Sequence, residues 1–273
     1  MGFELSPDAR EAMRAHALKA YPQEACGLIV DDVYVPCFNY AADPEQDFVI
    51  AGEVWAKHAE AGRTVQAVVH SHPNGPLYPS ERDMQGQIDT DVPWVIVATN
   101  GEECAEPFMW GEGVDQGPLI GRVFRHGVTD CYELVRDTFA AGREELKRQG
   151  VTDEWPLPPV ALRPQARADG WWDKNTPAEN RDLYAAFKTV GFREIAASEV
   201  LPGDCFLLKL GNGVTQLNHG GVYVGSNLIL HHLPTRVSRR EPIGIWLRAV
   251  EKWLRHESLD ALIADKAKES ADA

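Results

Sequence analysis

Between Pro7 and Ala20 the apolar residues Ala12, Met13, Ala17 and Leu18 recur at helical spacing, behind Ser6 as N-cap and a proline at the first helical position. Three short apolar runs, Gly27–Val30, Gln66–Val69 and Trp94–Val97, read as buried strands, and Glu53–Ala61 between them has the spacing of a helix. The first part of the chain is thereby predicted to be an α/β unit. Gly111 to Pro118 then offers several glycines and little to bury, which marks a linker.

Beyond the linker, Asp130 is placed to cap a helix starting at Cys131, with Leu134, Val135, Thr138 and Phe139 on one face. Val151 to Pro177 is rich in proline and tryptophan without periodicity and reads as an irregular packed loop. Pro202-Gly-Asp204 forms a turn before a strand over Cys205–Leu210, and His219–Gly225 with Leu228–Leu233 forms a hairpin around Ser226-Asn227. Trp246–Ala267 is expected to be a terminal amphipathic helix using Leu247, Val250, Leu254, Leu259 and Ile263. This half is α+β. The expected boundaries are 1–112 for the first domain, 113–118 for the linker, 119–257 for the second domain and 258–273 for a C-terminal helical tail.

A length of 273 residues fits two domains. The net charge of −14 argues against the broad basic face needed for nucleic acid or an anionic membrane surface. No apolar run reaches the roughly 18 residues of a membrane span, and the first residues carry no secretory signal, so folding in cytoplasm is expected. Five scattered cysteines in a chain able to build a core do not describe a disulfide framework.

His70-Ser-His72-Pro73 follows a strand pattern, so both imidazoles point to one side where the strand ends. Asp83 lies at the start of a predicted helix opening at Ser80, and Ser80 with Asp83 also has the spacing of a simple helix cap. Two imidazoles and one carboxylate are a ligand set for catalytic zinc with an open fourth position. His-x-His-Pro, Ser-x-x-Asp and the upstream Pro22-Gln-Glu24-Ala-Cys-Gly27 together resemble the JAMM (MPN-domain) metallopeptidases across nearly the whole first half. The resemblance implies that His70, His72 and Asp83 bind zinc. It also implies that Glu24 moves the proton of an attacking water and that Ser80 helps stabilise the tetrahedral oxyanion.

A thiol at the first position of a helix, as expected for Cys131, feels the positive end of the helix dipole, which favours thiolate, while Asp130 opposes it. Val123-Phe-Arg-His-Gly-Val-Thr-Asp-Cys131, Leu201-Pro-Gly-Asp204 and Asn218-His219-Gly-Gly resemble the NlpC-type, papain-like cysteine peptidases of peptidoglycan. That resemblance implies Cys131 as nucleophile, His219 as general base and a third polar residue orienting the imidazole. His231 and His232 both compete for the third role. A two-residue loop at Ser226-Asn227 would bring His232 to the His219 face, a loop one residue longer would bring His231, and the family spacing favours His231. Tyr132-Glu133 replaces the Ser-Gly common in the family, and Phe124 stands where a tyrosine often lies.

A JAMM domain ahead of an NlpC domain that runs into Leu230-His-His-Leu-Pro-Thr-Arg-Val-Ser-Arg-Arg240 resembles a family of tail assembly proteins of long-tailed bacteriophages. This resemblance implies a two-site hydrolase acting on peptidoglycan stem peptides and meeting other phage tail-tip proteins, assembled in host cytoplasm and carried on the virion tail tip. Two other readings are a structural tail protein whose pockets only bind partners, and a bacterial housekeeping hydrolase.

Overall fold

The computed structural model describes residues 4–168, 170, 183–211 and 213–271. Residues Met1–Gln116 and Gly117–Ala273 form two compact units. Residue 169 and residues 171–177 of the expected proline- and tryptophan-rich loop lie outside the described residues.

The first unit opens with α1 (Pro7–Ala20), where Ser6 Oγ accepts from the Ala9 N–H and Pro7 stands in the first turn. Its buried stripe is Ala9, Met13 and Ala17, four residues apart, whereas Ala12 is exposed. A five-stranded sheet follows from β1 (Cys26–Val30), β2 (Val33–Cys37), β3 (Val65–Pro73), β4 (Trp94–Thr99) and β5 (Phe108–Trp110), in the order β2-β1-β3-β4-β5. Among these strands, β3 and β4 run parallel and the other neighbours antiparallel. The β3–β4 crossover carries α3 (Glu81–Thr90), and α2 (Gly52–Glu60) precedes β3. Strand β1 pairs with β3 so that Cys26 faces His70, which sets the segment just before β1 beside the histidine strand.

The second unit is a six-stranded antiparallel sheet of β6 (Phe192–Ile195), β7 (Cys205–Leu208), β8 (His219–Gly225), β9 (Leu228–His231), β10 (Arg239–Pro242) and β11 (Val250–His256), ordered β10-β9-β8-β7-β11-β6. Helix α4 (Cys131–Arg148) packs on β8 and β9, while α5 (Leu183–Thr189) adjoins β6 and α6 (Glu257–Ala271) follows β11. Leu134, Val135, Phe139 and Leu146 of α4 join Leu207, Val222, Val224 and Leu230 in one buried core.

The expected terminal helix over Trp246–Ala267 is corrected. Val250–His256 is a strand lying between β7 and β6, and helix begins only at Glu257. Trp253 and Leu254 are buried there, and the pairing of Trp253 with Phe206 and Ile195 overrides local helical spacing. Leu259 in the first turn of α6 is buried in the same core, so the start of that helix belongs to the second unit. Among the described residues, no helix is long and apolar enough to cross a membrane.

Candidate functional site

The structure brings His70, His72 and Asp83 together. Strand β3 delivers both imidazoles from one face, and Asp83 arrives as the third residue of α3. His70 Nε2 lies 2.9 Å from His72 Nε2 and 3.2 Å from Asp83 Oδ1, with His72 Nε2 3.3 Å from Asp83 Oδ2. All three side chains are buried, and one ligand atom from each falls within 4.8 Å of the others. The Nδ1–H of His72 donates to the Pro76 carbonyl at 2.8 Å, which leaves Nε2 as the nitrogen turned to the cluster. Phe48 stacks on the His70 ring at 4.7 Å, with the Trp94 ring edge-on at 5.6 Å.

Electrostatics in this cluster run opposite ways for its members. Burial would raise Asp83, but the two imidazoles outweigh it and hold the carboxyl well below the usual carboxylate range. Burial lowers His70 more than Asp83 raises it, whereas His72, also penalised by burial, is raised on balance by Asp83 and the Pro76 carbonyl. Ser80 forms a complete capping box with Asp83. Its hydroxyl and backbone N–H donate to Asp83 Oδ2 at 2.7 and 2.8 Å, while its Oγ accepts from the Asp83 N–H. The Ser80 hydroxyl is thus committed to orienting Asp83, and Oδ1 is the oxygen Ser80 leaves unengaged. Glu24 is buried just before β1. Its carboxyl is raised to about 8, chiefly by burial, with His72 lowering it and Asp83 raising it.

In the second unit Asp130 caps α4, its Oδ1 accepting from the N–H groups of Tyr132 and Glu133 at 3.0 Å each. Cys131 therefore occupies the first helical position, only 3% exposed, on the helix that packs against β8, the strand opening with His219 and Gly220. Burial pushes the thiol up to about 12, Asp130 adds to this, and the Gly220 N–H works against it. The thiolate-favouring dipole expected from the sequence is outweighed in the resting site.

His219 Nε2 lies 3.0 Å from His231 Nδ1, and His231 Nε2 lies 2.8 Å from Glu241 Oε1. His231, not His232, is thus the neighbour of His219. The loop at Ser226-Asn227 has two residues, both at positive φ, but the register shifts between Tyr223 and Gly225 so that Gly221 faces His231. The bulge supplies the extra residue that a longer loop would have supplied. His232 turns away and meets the Phe124 ring at 5.2 Å.

Two groups were missed in the sequence. Glu241 stands on β10 amid Arg239 and Arg240, where charge alone reads as solvated surface. Arg167 lies in the segment read as an irregular loop. It is buried, donates to Asp130 Oδ2 at 2.7 Å and to Glu133 Oε1 at 3.2 Å, and lies over the Tyr132 ring at 4.6 Å. The Tyr132-Glu133 pair that departs from the family pattern is the receptor for this guanidinium.

A family model of prokaryotic homologs of the JAB domain matches residues 6–110, and the NlpC/P60 family model matches residues 105–251. The tail tip assembly protein K of Escherichia phage lambda is 32% identical over 204 residues, covering 74% of this chain and 83% of that protein. Its counterpart from Escherichia phage N15 is 29% identical over 254 residues, covering 91% of this chain and 94% of that protein. A CysO-cysteine peptidase of Mycobacterium tuberculosis is 29% identical over 102 residues, covering 34% of this chain and 70% of that enzyme. The chain belongs to the tail tip assembly protein K family of bacteriophages, with a JAB domain followed by an NlpC/P60 domain.

Proposed function

We propose that the second unit is a cysteine endopeptidase that cleaves a stem-peptide amide of peptidoglycan, and that the first is a zinc-dependent peptidase or isopeptidase acting on a second amide. The observation that carries the first half is the placement of Cys131 at the first position of α4, the helix packed on the strand that opens with His219, together with the 3.0 Å approach of His219 to His231. In the reaction His219 takes the thiol proton and the sulfur attacks the amide carbonyl carbon. The C–N bond breaks as the imidazolium returns its proton to the leaving amine, and water then hydrolyses the thioester. His219 is buried and held well below its ordinary value by that burial and by His231 and His232, so it is neutral and able to accept the proton.

The donor set of the first unit fits zinc: two Nε2 atoms 2.9 Å apart and a carboxylate oxygen converge in a buried pocket, with Nδ1 of His72 held on the Pro76 carbonyl so that Nε2 faces the site. His70 Nε2, His72 Nε2 and Asp83 Oδ1 would hold the ion. Zinc, when bound there, supplies a Lewis acid that polarises a carbonyl and lowers the pKa of water. Glu24, buried beside the cluster, would take the proton of the attacking water and carry it to the leaving amine. Ser80 orients Asp83, and its hydroxyl reaches a tetrahedral oxyanion only by turning from Oδ2.

Digestion of purified peptidoglycan by the full chain, followed by mass spectrometry, tests the cysteine site. Stem-peptide fragments should be released by the parent and not by Cys131→Ala or His219→Ala, and equal release by Cys131→Ala overturns the assignment. Metal analysis of the native protein should find near-stoichiometric zinc, lost in His72→Ala. The near-complete burial of Cys131 is the observation behind the second reading, a structural tail-tip protein whose pockets bind partners without catalysis. Phage carrying Cys131→Ala that still infect normally would favour it. In either reading the protein meets other tail-tip proteins in the host cytoplasm during assembly and travels on the virion.

A further inference from the structure

We propose that Glu241 is a positioning residue of the cysteine site, fixing through His231 the ring nitrogen on which His219 carries its proton. At the far end of the hydrogen-bonded chain, Trp246 Nε1–H, a group that can only donate, approaches Glu241 Oε1 at 2.8 Å, and His231 Nε2 approaches the same oxygen at 2.8 Å. An ionised carboxylate accepts only, so the proton on His231 sits at Nε2 and Nδ1 holds the lone pair.

That lone pair lies 3.0 Å from His219 Nε2, which must therefore be the protonated nitrogen of His219. His219, being neutral, is left with an unprotonated Nδ1, the form that can take a proton from a thiol. One acceptor at the edge of the sheet thus sets two tautomers in sequence. Reversal of the first would reverse the second and place a hydrogen on the nitrogen that has to act as base. Glu241 is suited to this post because its carboxyl, though penalised by partial burial, is lowered by His231 and Trp246 and so stays ionised. Strand β10 supplies it by pairing Arg239 with His231 and Glu241 with Ile229, which sets the carboxylate two residues along the strand from the histidine's own partner.

The consequence for catalysis rests on the cysteine-peptidase reading, whereas the tautomers are a property of the resting chain. They can be read by long-range proton–nitrogen NMR of the full chain labelled with ¹⁵N-histidine. The parent should show both His219 and His231 protonated at Nε2. Glu241→Gln keeps a carbonyl acceptor and should keep both tautomers. Glu241→Leu removes the acceptor and should populate the Nδ1–H form of His219, with stem-peptide release falling about 10-fold or more, because a general-base histidine in the wrong tautomer cannot take the proton. An Nδ1–H signal at His219 in the parent overturns the proposal, as does an unchanged pair of tautomers in Glu241→Leu. Should Glu241→Leu fail to fold, the parent spectrum alone decides. Absence of stem-peptide release by a parent with the expected tautomers would overturn the peptidase reading and leave this one standing.

Discussion

Gly221 shows how tightly one residue controls the cysteine site. A Cβ there would lie 2.6 Å from the Leu230 carbonyl oxygen and 2.7 Å from His231 Cβ, with backbone on one side and the orienting histidine on the other. The Gly-Gly pair after His219 is therefore a steric requirement of placing His231 beside it. Gly221→Ala should cost about 1–3 kcal/mol, the usual range for overpacking, and lengthen the His219–His231 contact. A urea midpoint equal to that of the parent would refute this. Ser80 holds the corresponding position in the other unit, because its hydroxyl both caps α3 and fixes Asp83. Ser80→Ala should lose about 0.5–2 kcal/mol of stability and weaken zinc binding by roughly 10- to 100-fold. Competition with a calibrated chelator would reveal unchanged affinity if Ser80 were a cap and nothing more.

The parts visible in the sequence were those whose signal is local. Uninterrupted apolar runs marked β1, β3 and β4, period-two alternation put His70 and His72 on one side, and Asp130 gave the start of α4. What escaped was decided by partners distant along the chain. Strand β11 carries Val250 and Leu254 at a spacing a helix would accept, but Arg255 pairs with the buried Asp204 at 2.7 and 2.9 Å and Trp253 packs on Phe206. The family spacing already favoured His231 over His232, but its local cause, a bulge near Val224, is contained in no loop-length argument. Helix α4 has a similar hidden break. Gly142 sits at φ 64° inside it, and a Cβ there would lie 2.4 Å from the backbone nitrogen of Pro159. The segment after the helix packs against this notch, with the Val160 N–H donating to the Phe139 carbonyl and the Arg143 N–H to the Leu157 carbonyl. Gly142→Ala, although it raises helical propensity, should therefore destabilise the chain by about 1–3 kcal/mol. An increase in thermal stability would show that the break is not required.

At the scale of the whole molecule, the second unit holds several histidines in the neutral form. His219, His231, His232 and His256 are all lowered, in each case first by burial. In the unfolded chain each regains a value near 6.5 and binds its proton first, so stability is full above about pH 6.5 and declines as the pH falls toward the native values. Glu133 and Asp204 oppose this within the second unit, because burial raises both, and in the first unit Glu24 and His72, also raised, act the same way against the lowered His16 and His70. Asp130 adds a second, more acidic window: it is depressed because Arg167 and His126 outweigh burial, so its contribution is present above the unfolded value near 4 and lost as the pH falls through its lower native one. A single histidine depressed by one unit is worth about 1.4 kcal/mol, or roughly 2–4 °C per kcal/mol in a unit of this size. Calorimetry of the full chain between pH 7.5 and 5, with a chelator present so that release of metal makes no contribution, should show the melting transition falling by roughly 5 °C or more. A transition of the second unit that holds or rises across that range would overturn the reading that its four imidazoles take up protons less readily in the folded chain than in the unfolded one, and with it the neutral His219 on which the proposed chemistry depends.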